Sequence, residues 1–221
     1  MTKVSEKSVV VVGGGGHARS VLDIALSLPG LSLFGCVNPF GRDVLGVPCK
    51  GTEDDLEKIY AMGIRYAFVA IGENAARNEV YDRIVAMGFE PVTIVSPYAV
   101  VSERAALGKG VCVMPGAVIH VNAVIGDNCI VNTNCSIDHD CKIGKSCHIA
   151  PGVSMSGTVC VGDGAHIGTG ASVIDNITIG ARSYIGAGAA VVKNITNDVL
   201  AVGVPARVIK YFKSEGTKKN G

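Results

Sequence analysis

The sequence predicts a small α/β domain of Rossmann-like type followed by a long parallel β-helix. The main observation is a six-residue period from Val101 to Val191, in which sixteen successive positions all carry a large aliphatic residue. The position four residues after each of these holds a small or aliphatic residue, from Ala105 to Ile195. The residue just before this second column is usually Gly, Asn or Asp, which tolerate the positive φ of a tight corner.

This period of six excludes the commoner kinds of secondary structure. An α-helix repeats every 3.6 residues and a half-buried strand every two. A hexapeptide repeat is typical of a parallel β-helix, in which three sides, each a short strand and a corner, complete a coil of about eighteen residues. Neighbouring coils lie about 4.8 Å apart, so residues eighteen apart stack on one another. We expect the β-helix to occupy residues 97–198.

Strands and helices alternate before the repeat. Predicted strands cover residues 8–12, 31–37, 66–71 and 91–95, and predicted helices cover 18–28, 52–62 and 75–87. Such alternation indicates a small parallel sheet with helices packed on it. We assign it to a domain of residues 1–96. Residues 199–221 form a C-terminal segment, and we expect its polar tail from residue 214 to be disordered.

Charge and hydropathy exclude several classes of function. The formal net charge is +1 and the charged residues are dispersed, which argues against a nucleic-acid or membrane-surface partner. The first residues lack the apolar core of a signal peptide, and no apolar run is long enough to span a membrane. We therefore expect a cytoplasmic protein.

The eight cysteines are expected to be free thiols. Cys129, Cys135, Cys141 and Cys147 fall in the small inward column, where each serves as a small buried hydrophobe. The chain has no CxxC pair, and a cytosolic setting disfavours disulfides. Cys112 occupies an outward position but has no base beside it, so it is a poor candidate for a nucleophile.

A glycine-rich turn at residues 13–16 follows the first predicted strand and opens a helix. Backbone N–H groups at such a turn bind phosphates. Gly13, Gly15 and Ala18 fit the dinucleotide-binding pattern, but Asn38 stands at the end of the second strand instead of the acidic residue that binds ribose. The pattern favours a nucleotide sugar, with a dinucleotide or a purely structural turn as alternatives.

Four histidines lie outside the two inward columns of the repeat: His120, His139, His148 and His166. His139 lies between Asp138 and Asp140, and an imidazole beside a carboxylate is a natural general base near neutral pH. The alternative is a solvated corner histidine. His148 and His166 are eighteen apart and should stack, but a zinc site would need a third ligand.

Several motifs together with the repeat resemble the bacterial sugar acetyltransferases grouped with sialic acid O-acetyltransferase and the UDP-4-amino-sugar N-acetyltransferases. The resemblance covers almost the whole chain. The matching segments are 14–18, 44–48, 70–74 with Arg77, 132–133, 137–140, 148–152, Gly157 and 202–207.

This resemblance implies a left-handed β-helix and a homotrimer with acetyl-CoA in the groove between neighbouring helices, and no metal. His139 would be the base and Asp140, where many relatives carry Glu, would orient it. The acetyl carbonyl would lie near His148 and the Gly157 N–H. The implied coenzyme site comprises His148, Gly157, His166, Lys193 and Arg207. The implied nucleotide-sugar site comprises Gly14, Gly15, His17, Asn38, Gly72, Arg77 and Asn132.

The predicted function is N-acetylation of a UDP- or GDP-linked 4-amino-4,6-dideoxy sugar by direct attack on acetyl-CoA, without an acyl-enzyme. One alternative is O-acetylation of sialic acid or another sugar. An alternative of another class is a non-catalytic scaffold built on the hexapeptide repeat. The carboxylates on both sides of His139 count against the scaffold.

Overall fold

A computed structural model describes residues 7–212 of the chain. The predicted disorder of the tail from residue 214 lies outside the described residues. The N-terminal sheet has four parallel strands in the order β2-β1-β3-β4. Its strands are β1 Lys7–Val12, β2 Leu31–Val37, β3 Tyr66–Val69 and β4 Glu90–Pro91.

Helices cover both faces of this sheet, as the alternation predicted. They are α1 Gly16–Ser27, α2 Leu56–Ala61 and α3 Asn74–Ala86. Helix α1 packs on the face of β1 that presents Val9 and Val11. The other two helices pack on the opposite face. The predicted helix at 52–62 begins as a 3₁₀ turn, Glu53–Asp55, closed by a capping box between Thr52 and Asp55.

The repeat folds as the predicted β-helix. Its strands from residue 94 to residue 191 are each two residues long, and they pair in parallel with strands of the neighbouring coils. Ile130, for example, pairs with Cys112 on one side and His148 on the other, each eighteen residues away. The first sheet contains β5 Ile94–Val95, β8 Cys112–Val113, β11 Ile130–Val131, β14 His148–Ile149, β17 His166–Ile167, β20 Tyr184–Ile185, β22 Val199–Val202 and β23 Arg207–Tyr211. The second contains β6 Val100–Val101, β9 Val118–Ile119, β12 Ser136–Ile137, β15 Ser154–Met155, β18 Ser172–Val173 and β21 Ala190–Val191. The third contains β7 Ala106–Leu107, β10 Val124–Ile125, β13 Lys142–Ile143, β16 Cys160–Val161 and β19 Thr178–Ile179.

The corners of the coils have the predicted backbone conformation. The non-glycine corner residues have φ between 54° and 60°. They are Asn122, Asn128, Asn134, Asp140, Ser146, Thr158, Asn176 and Arg182. Glycines such as Gly110, Gly116 and Gly152 take the same conformation. Ser, Thr and Arg at three corners were not expected, because L-residues with larger side chains seldom adopt this conformation.

The last coil departs from the repeat. Ile195 stacks on Ile179 and Leu200 pairs with Tyr184, so this coil is sixteen residues long instead of eighteen. The placement of Ile195 in the small column was therefore wrong, because it continues the large column after a two-residue deletion. The antiparallel pair β22–β23 then completes the first sheet.

The predicted strand at 91–95 is divided between the two sheets. Glu90–Pro91 pairs in the N-terminal sheet, whereas Ile94–Val95 pairs with β8 of the β-helix. Ile94 and Cys112 are fully buried in a layer that they share with Leu22 of α1. The outward side of the first sheet, which we call the docking face, therefore receives the N-terminal domain. Its outward residues are Ile94, Cys112, Ile130, His148, His166, Tyr184 and Leu200.

The cysteine prediction is confirmed for the coil interior. Cys129, Cys135, Cys141 and Cys147 are buried in the coil core and all eight thiols of the chain are free. Cys112 faces outward from the coil but is covered by the N-terminal domain, and burial raises the pKa of its thiol to about 12. None of the helices within residues 7–212 is long and apolar enough to cross a membrane.

Candidate active site

Three of the predicted site residues lie along one edge of the β-helix. We call it the corner edge, where the second sheet turns into the third. It carries the residue two positions after each strand of the second sheet. These residues are Glu103, Val121, His139, Gly157, Asp175 and Lys193. His139, Gly157 and Lys193 therefore share an edge that runs along the β-helix axis.

His139 is held by Asp140. Its Nδ1 lies 2.8 Å from Asp140 Oδ2. An ionised carboxylate can only accept a hydrogen bond, so Nδ1 carries the hydrogen and Nε2 keeps its lone pair. The hydrogen bond with Asp140, assisted by the charge of Asp138, raises the pKa of His139 above 6.5. The half-exposed ring thus combines a free nitrogen with increased basicity.

Gly157 lies directly against the His139 ring. A Cβ at this position would come within 2.5 Å of His139 Cε1 and 2.6 Å of Nε2. No side chain fits there unless the imidazole moves. Within residues 7–212 the Gly157 N–H donates to no carbonyl, so this N–H is available to an oxygen beside the imidazole.

A second group of histidines lies on the docking face. His148 Nε2 is 3.0 Å from Asn132 Nδ2, and the ring of His166 packs edge-on against His148 with centroids 4.8 Å apart. Tyr184 stacks on His166 at 4.9 Å. Burial and then the charge of His166 lower the pKa of His148 to about 3. These rings are neutral at physiological pH.

His17 of α1 lies at the same junction of the domains. Burial first, and then the charge of Arg77, lower its pKa to about 4. Within the described residues, His17 Nε2 and His148 Nδ1 are buried without a hydrogen-bond partner. Two unpartnered imidazole nitrogens at one junction are well suited to a polar ligand, because a buried polar atom without a partner is costly.

The glycine-rich turn contains two glycines that pack closely against the protein and one that has no close neighbour. A Cβ at Gly13 would lie 2.6 Å from the Ala70 carbonyl oxygen, and one at Gly14 would lie 2.7 Å from Asn38 Cβ. These two glycines permit close packing of the turn. Gly15 has no neighbour within 4 Å of a Cβ position and is the N-cap of α1. The open N-terminus of this helix is where a phosphate fits best.

Two residues expected at the nucleotide are fully engaged inside the protein. Asn38 is completely buried; its Oδ1 accepts from the Phe40 N–H, and its Nδ2 donates to the Arg42 carbonyl at 3.0 Å. Arg77 is 1% exposed. Its guanidinium donates to Oδ1 of Asn74. It also donates to the backbone carbonyls of residues 71, 72, 128, 146 and 147. Both side chains have structural partners inside the protein, and the nucleotide contact expected of them stays a prediction.

The predicted site residues therefore form two groups that a single chain does not bring together. His139, Asp140, Gly157 and Lys193 lie at the corner between the second and third sheets. Asn132, His148, His166 and Arg207 lie on the first sheet or at its margin, and His17 and Gly72 face it from the N-terminal domain. In a three-sided coil, a corner between two sheets lies opposite the remaining side.

Residues outside the prediction also contribute to the site. Asn122 Nδ2 donates to Asp140 Oδ1 at 3.0 Å. Its position eighteen residues before Asp140 could have identified it. Asn74 Nδ2 donates to the carbonyls of Gly164 and Ala165, which nothing in the sequence indicated. A cavity of about 510 Å³ opens between the start of α3 and the β-helix, near Tyr184, but none of the predicted site residues lines it.

The described residues offer no cluster of three or more His, Cys, Asp or Glu side chains that could hold a metal. His148 and His166 stack as expected from their spacing, without a third ligand.

Family models match both parts of the chain. The model of the PglD N-terminal domain matches residues 8–84, and the model of the bacterial transferase hexapeptide (six repeats) matches residues 122–157. No curated protein matches the chain.

Solved structures match the chain over nearly its whole length. One match is a histidine-to-asparagine variant of perosamine N-acetyltransferase from Caulobacter crescentus, solved in complex with CoA and GDP-perosamine. It is 41% identical to this chain and has a TM-score of 0.89, and the match covers 92% of this chain and 97% of that one. The acetyltransferase domain of PglB from Neisseria gonorrhoeae FA1090, in complex with acetyl coenzyme A, is 32% identical with a TM-score of 0.88, covering 93% of this chain and 100% of that one. WeeI from Acinetobacter baumannii AYE shares the fold. It is 23% identical with a TM-score of 0.81, and the match covers 91% of this chain and 99% of that one.

Proposed function

Because this chain belongs to the bacterial left-handed β-helix sugar acetyltransferases, we propose an acceptor and a general base for its activity as an acetyl-CoA-dependent sugar N-acetyltransferase. The proposed acceptor is a nucleotide-linked 4-amino sugar, and the proposed general base is His139. GDP is the preferred nucleotide in this proposal. The 41% identity to a protein solved with GDP-perosamine supports that preference.

The observation that carries the proposal is the arrangement of His139, Asp140 and Gly157. Asp140 fixes the tautomer of His139, so the lone pair of Nε2 is available to a substrate proton. Because Gly157 has no side chain, the His139 ring can pack directly against it and keep this orientation. The hydrogen bond with Asp140 raises the pKa of His139, which makes Nε2 a stronger proton acceptor for general base catalysis.

The proposed reaction is a direct transfer. The sugar amine attacks the acetyl carbonyl carbon, so that a C–N bond forms and the C–S bond of the thioester breaks to release CoA. His139 Nε2 accepts the proton that the amine loses, Asp140 stabilises the imidazolium that forms, and this proton then passes to the CoA thiolate. In this proposal the Gly157 N–H donates to the carbonyl oxygen as negative charge develops on it. No protein nucleophile is needed, and the buried thiol of Cys112 has too high a pKa to be one.

The corner edge fits the coenzyme. Acetyl-CoA supplies the thioester, and its phosphates need cations. Lys193 is exposed on the corner edge three coils beyond His139, roughly 14 Å away at the usual coil spacing.

The nucleotide sugar is proposed to lie along the open turn at Gly15 and the N-terminus of α1. Its diphosphate would accept from the backbone N–H groups there, where the helix dipole favours anions. The amino sugar would then reach the unpartnered nitrogens of His17 and His148 at the docking face.

A homotrimer completes the site in this proposal. The corner edge and the docking face lie on opposite sides of one coil, so the corner edge of one subunit must meet the docking face of its neighbour. Threefold symmetry supplies three identical junctions of this kind.

The test measures release of free thiol from acetyl-CoA with GDP- and UDP-linked 4-amino sugars, for wild type and His139→Ala. We expect turnover with GDP-perosamine and a loss of roughly a hundredfold or more in the variant. Turnover that survives in His139→Ala would contradict the role of the base. Turnover with free sialic acids alone would indicate O-acetylation instead.

A further inference from the structure

We propose that Asn122 is a positioning residue of this transferase, because its side-chain amide fixes the Asp140 carboxylate that orients His139. The inference rests on the proposed function, since it concerns the base assigned there. Asn122 touches neither His139 nor a reacting atom, and acts through Asp140.

The hydrogen bonds define the role of Asn122. Its Nδ2 donates to Asp140 Oδ1 at 3.0 Å, while Asp140 Oδ2 accepts from His139 Nδ1 at 2.8 Å. Because an ionised carboxylate only accepts, both neighbours must present N–H groups to it. The carboxylate is thus held through both oxygens, and its rotation away from His139 is opposed by the Asn122 amide.

The stacking of the coils explains why Asn122 reaches this carboxylate. Asn122 and Asp140 occupy the same corner of neighbouring coils, eighteen residues apart, with φ of 60° and 59°. Equal backbone conformations at a spacing of about 4.8 Å place two short side chains side by side. The Asn122 amide thereby supports the short Asp140 side chain from the neighbouring coil.

Few charges surround His139. Asp138 and Asp140 face it from its own turn, and the following coil presents the uncharged Gly157 and Thr158. On the preceding coil, His120 Nδ1 lies 3.9 Å from Asp138 Oδ1. The bond from Asn122 holds the pKa of Asp140 down, after the larger effect of His139. Loss of Asn122 should free the carboxylate, and the pKa of His139 should then fall towards 6.5.

The variant Asn122→Gly removes the amide and keeps the backbone, since glycine adopts positive φ without cost. Gly116 has this conformation at another corner, with φ of 72°. The matched control is Asn176→Gly. Asn176 lies at the same corner with φ of 59°, and its Oδ1 accepts from Thr158 Oγ1 at 2.8 Å instead of contacting Asp140.

The first measurement is an NMR titration of the substrate-free enzyme labelled with ¹³C at histidine Cε1, in which His139→Ala assigns the resonance. We expect the pKa of His139 to fall in Asn122→Gly and to stay at the wild-type value in Asn176→Gly. A purely structural role for Asn122 would not produce this difference.

The second measurement is the initial rate of acetyl transfer. We expect kcat to fall roughly fivefold to tenfold in Asn122→Gly, as for the net loss of one ordinary hydrogen bond at an exposed corner, with KM unchanged. In an Asp140→Ala background the same substitution should cause no further loss, because its effect requires the carboxylate.

An unchanged His139 pKa in Asn122→Gly would overturn the inference, and so would a full further loss of rate in the Asp140→Ala background. An equal pKa change in Asn176→Gly would overturn it as well. If the wild type acetylates no nucleotide sugar while the pKa still falls in Asn122→Gly, the proposed function fails and the positioning role stands.

Discussion

At the scale of single residues, Gly157 packs so tightly on the His139 ring that position 157 has no room for a side chain. Gly157 has an ordinary backbone conformation, so its φ does not demand glycine. The reason is the imidazole, whose Cε1 would lie 2.5 Å from a Cβ. A methyl group at this position must push the ring away from the geometry that Asp140 imposes.

The corresponding variant is Gly157→Ala, which we expect to lower kcat by roughly tenfold to a hundredfold while the protein stays folded. Steady-state rates and the melting temperature measure the two effects separately. Asp175→Ala is the control, because Asp175 has the same corner position one coil further on. Equal rates for Gly157→Ala and wild type would show that His139 can shift without consequence.

At the scale of elements, α3 is attached to the β-helix by the buried side chain of Arg77. The guanidinium bonds to carbonyls of residues 128, 146 and 147 in two coils, and to those of residues 71 and 72 at the end of β3. Burial lowers the pKa of Arg77, and the charge is dispersed over these carbonyls. The loop that contains Gly72 is thereby fixed against His148.

Substitution of Arg77 by Met should lower the free energy of unfolding by about 3 kcal/mol or more, because several buried carbonyls lose their donor. Urea denaturation measures this change. The control on the same helix is Arg83→Met, which breaks the partly exposed bond to Glu53 and should cost less than about 1 kcal/mol. If Arg77→Met weakened nucleotide binding without loss of stability, the residue would be a ligand as first expected.

The histidines at the docking face make stability depend on pH. His17 and His148 have pKa values of about 4 and about 3 in the folded protein, compared with 6.5 in the unfolded chain. Their contribution to stability is complete above pH 6.5 and is lost as the pH falls from 6.5 towards 3, since the unfolded chain then binds more protons. Each histidine contributes a slope of up to roughly 1.4 kcal/mol per pH unit.

We therefore expect His148→Gln to flatten the decrease in unfolding free energy between pH 6 and pH 4, measured by urea denaturation. His120→Gln is the control, because His120 is exposed on another part of the coil. A slope equal to the wild-type slope in His148→Gln would contradict the burial of a neutral imidazole at this position.

At the scale of the whole molecule, the sequence predicted the β-helix well, because each coil repeats the same local rule. Inward columns, corners and stacking follow from a period of six without knowledge of distant contacts. The two-residue deletion near Ile195 was missed, since Ile195 is acceptable in either column. The docking of the domains could not be predicted either, because Cys112 and Ile94 show their burial only when a second domain covers them.

The candidate site also contains contacts that the sequence could predict and contacts that it could not. His139 and Asp140 are adjacent in sequence, so their contact was predictable, and stacking by eighteen would have added Asn122. Arg77 matched a family motif, but its bonds to residues 128, 146 and 147 depend on how α3 meets the coils. Contacts between residues so far apart in the sequence leave no local signal, so the structural role of Arg77 could not be predicted.

The separation of the corner edge from the docking face leads to a prediction about the assembly. His139→Ala damages the corner edge and His148→Ala damages the docking face, so each variant alone should be nearly inactive. If the proposed trimer forms, the two variants coexpressed at equal amounts should assemble into mixed trimers. About a quarter of the junctions would then combine an intact corner edge with an intact docking face, and about a quarter of wild-type kcat should be restored. Thiol release from the purified mixture measures this recovery, with separately purified variants combined without exchange as the control. Activity in the coexpressed mixture no higher than in either variant alone would contradict a site that is shared between subunits.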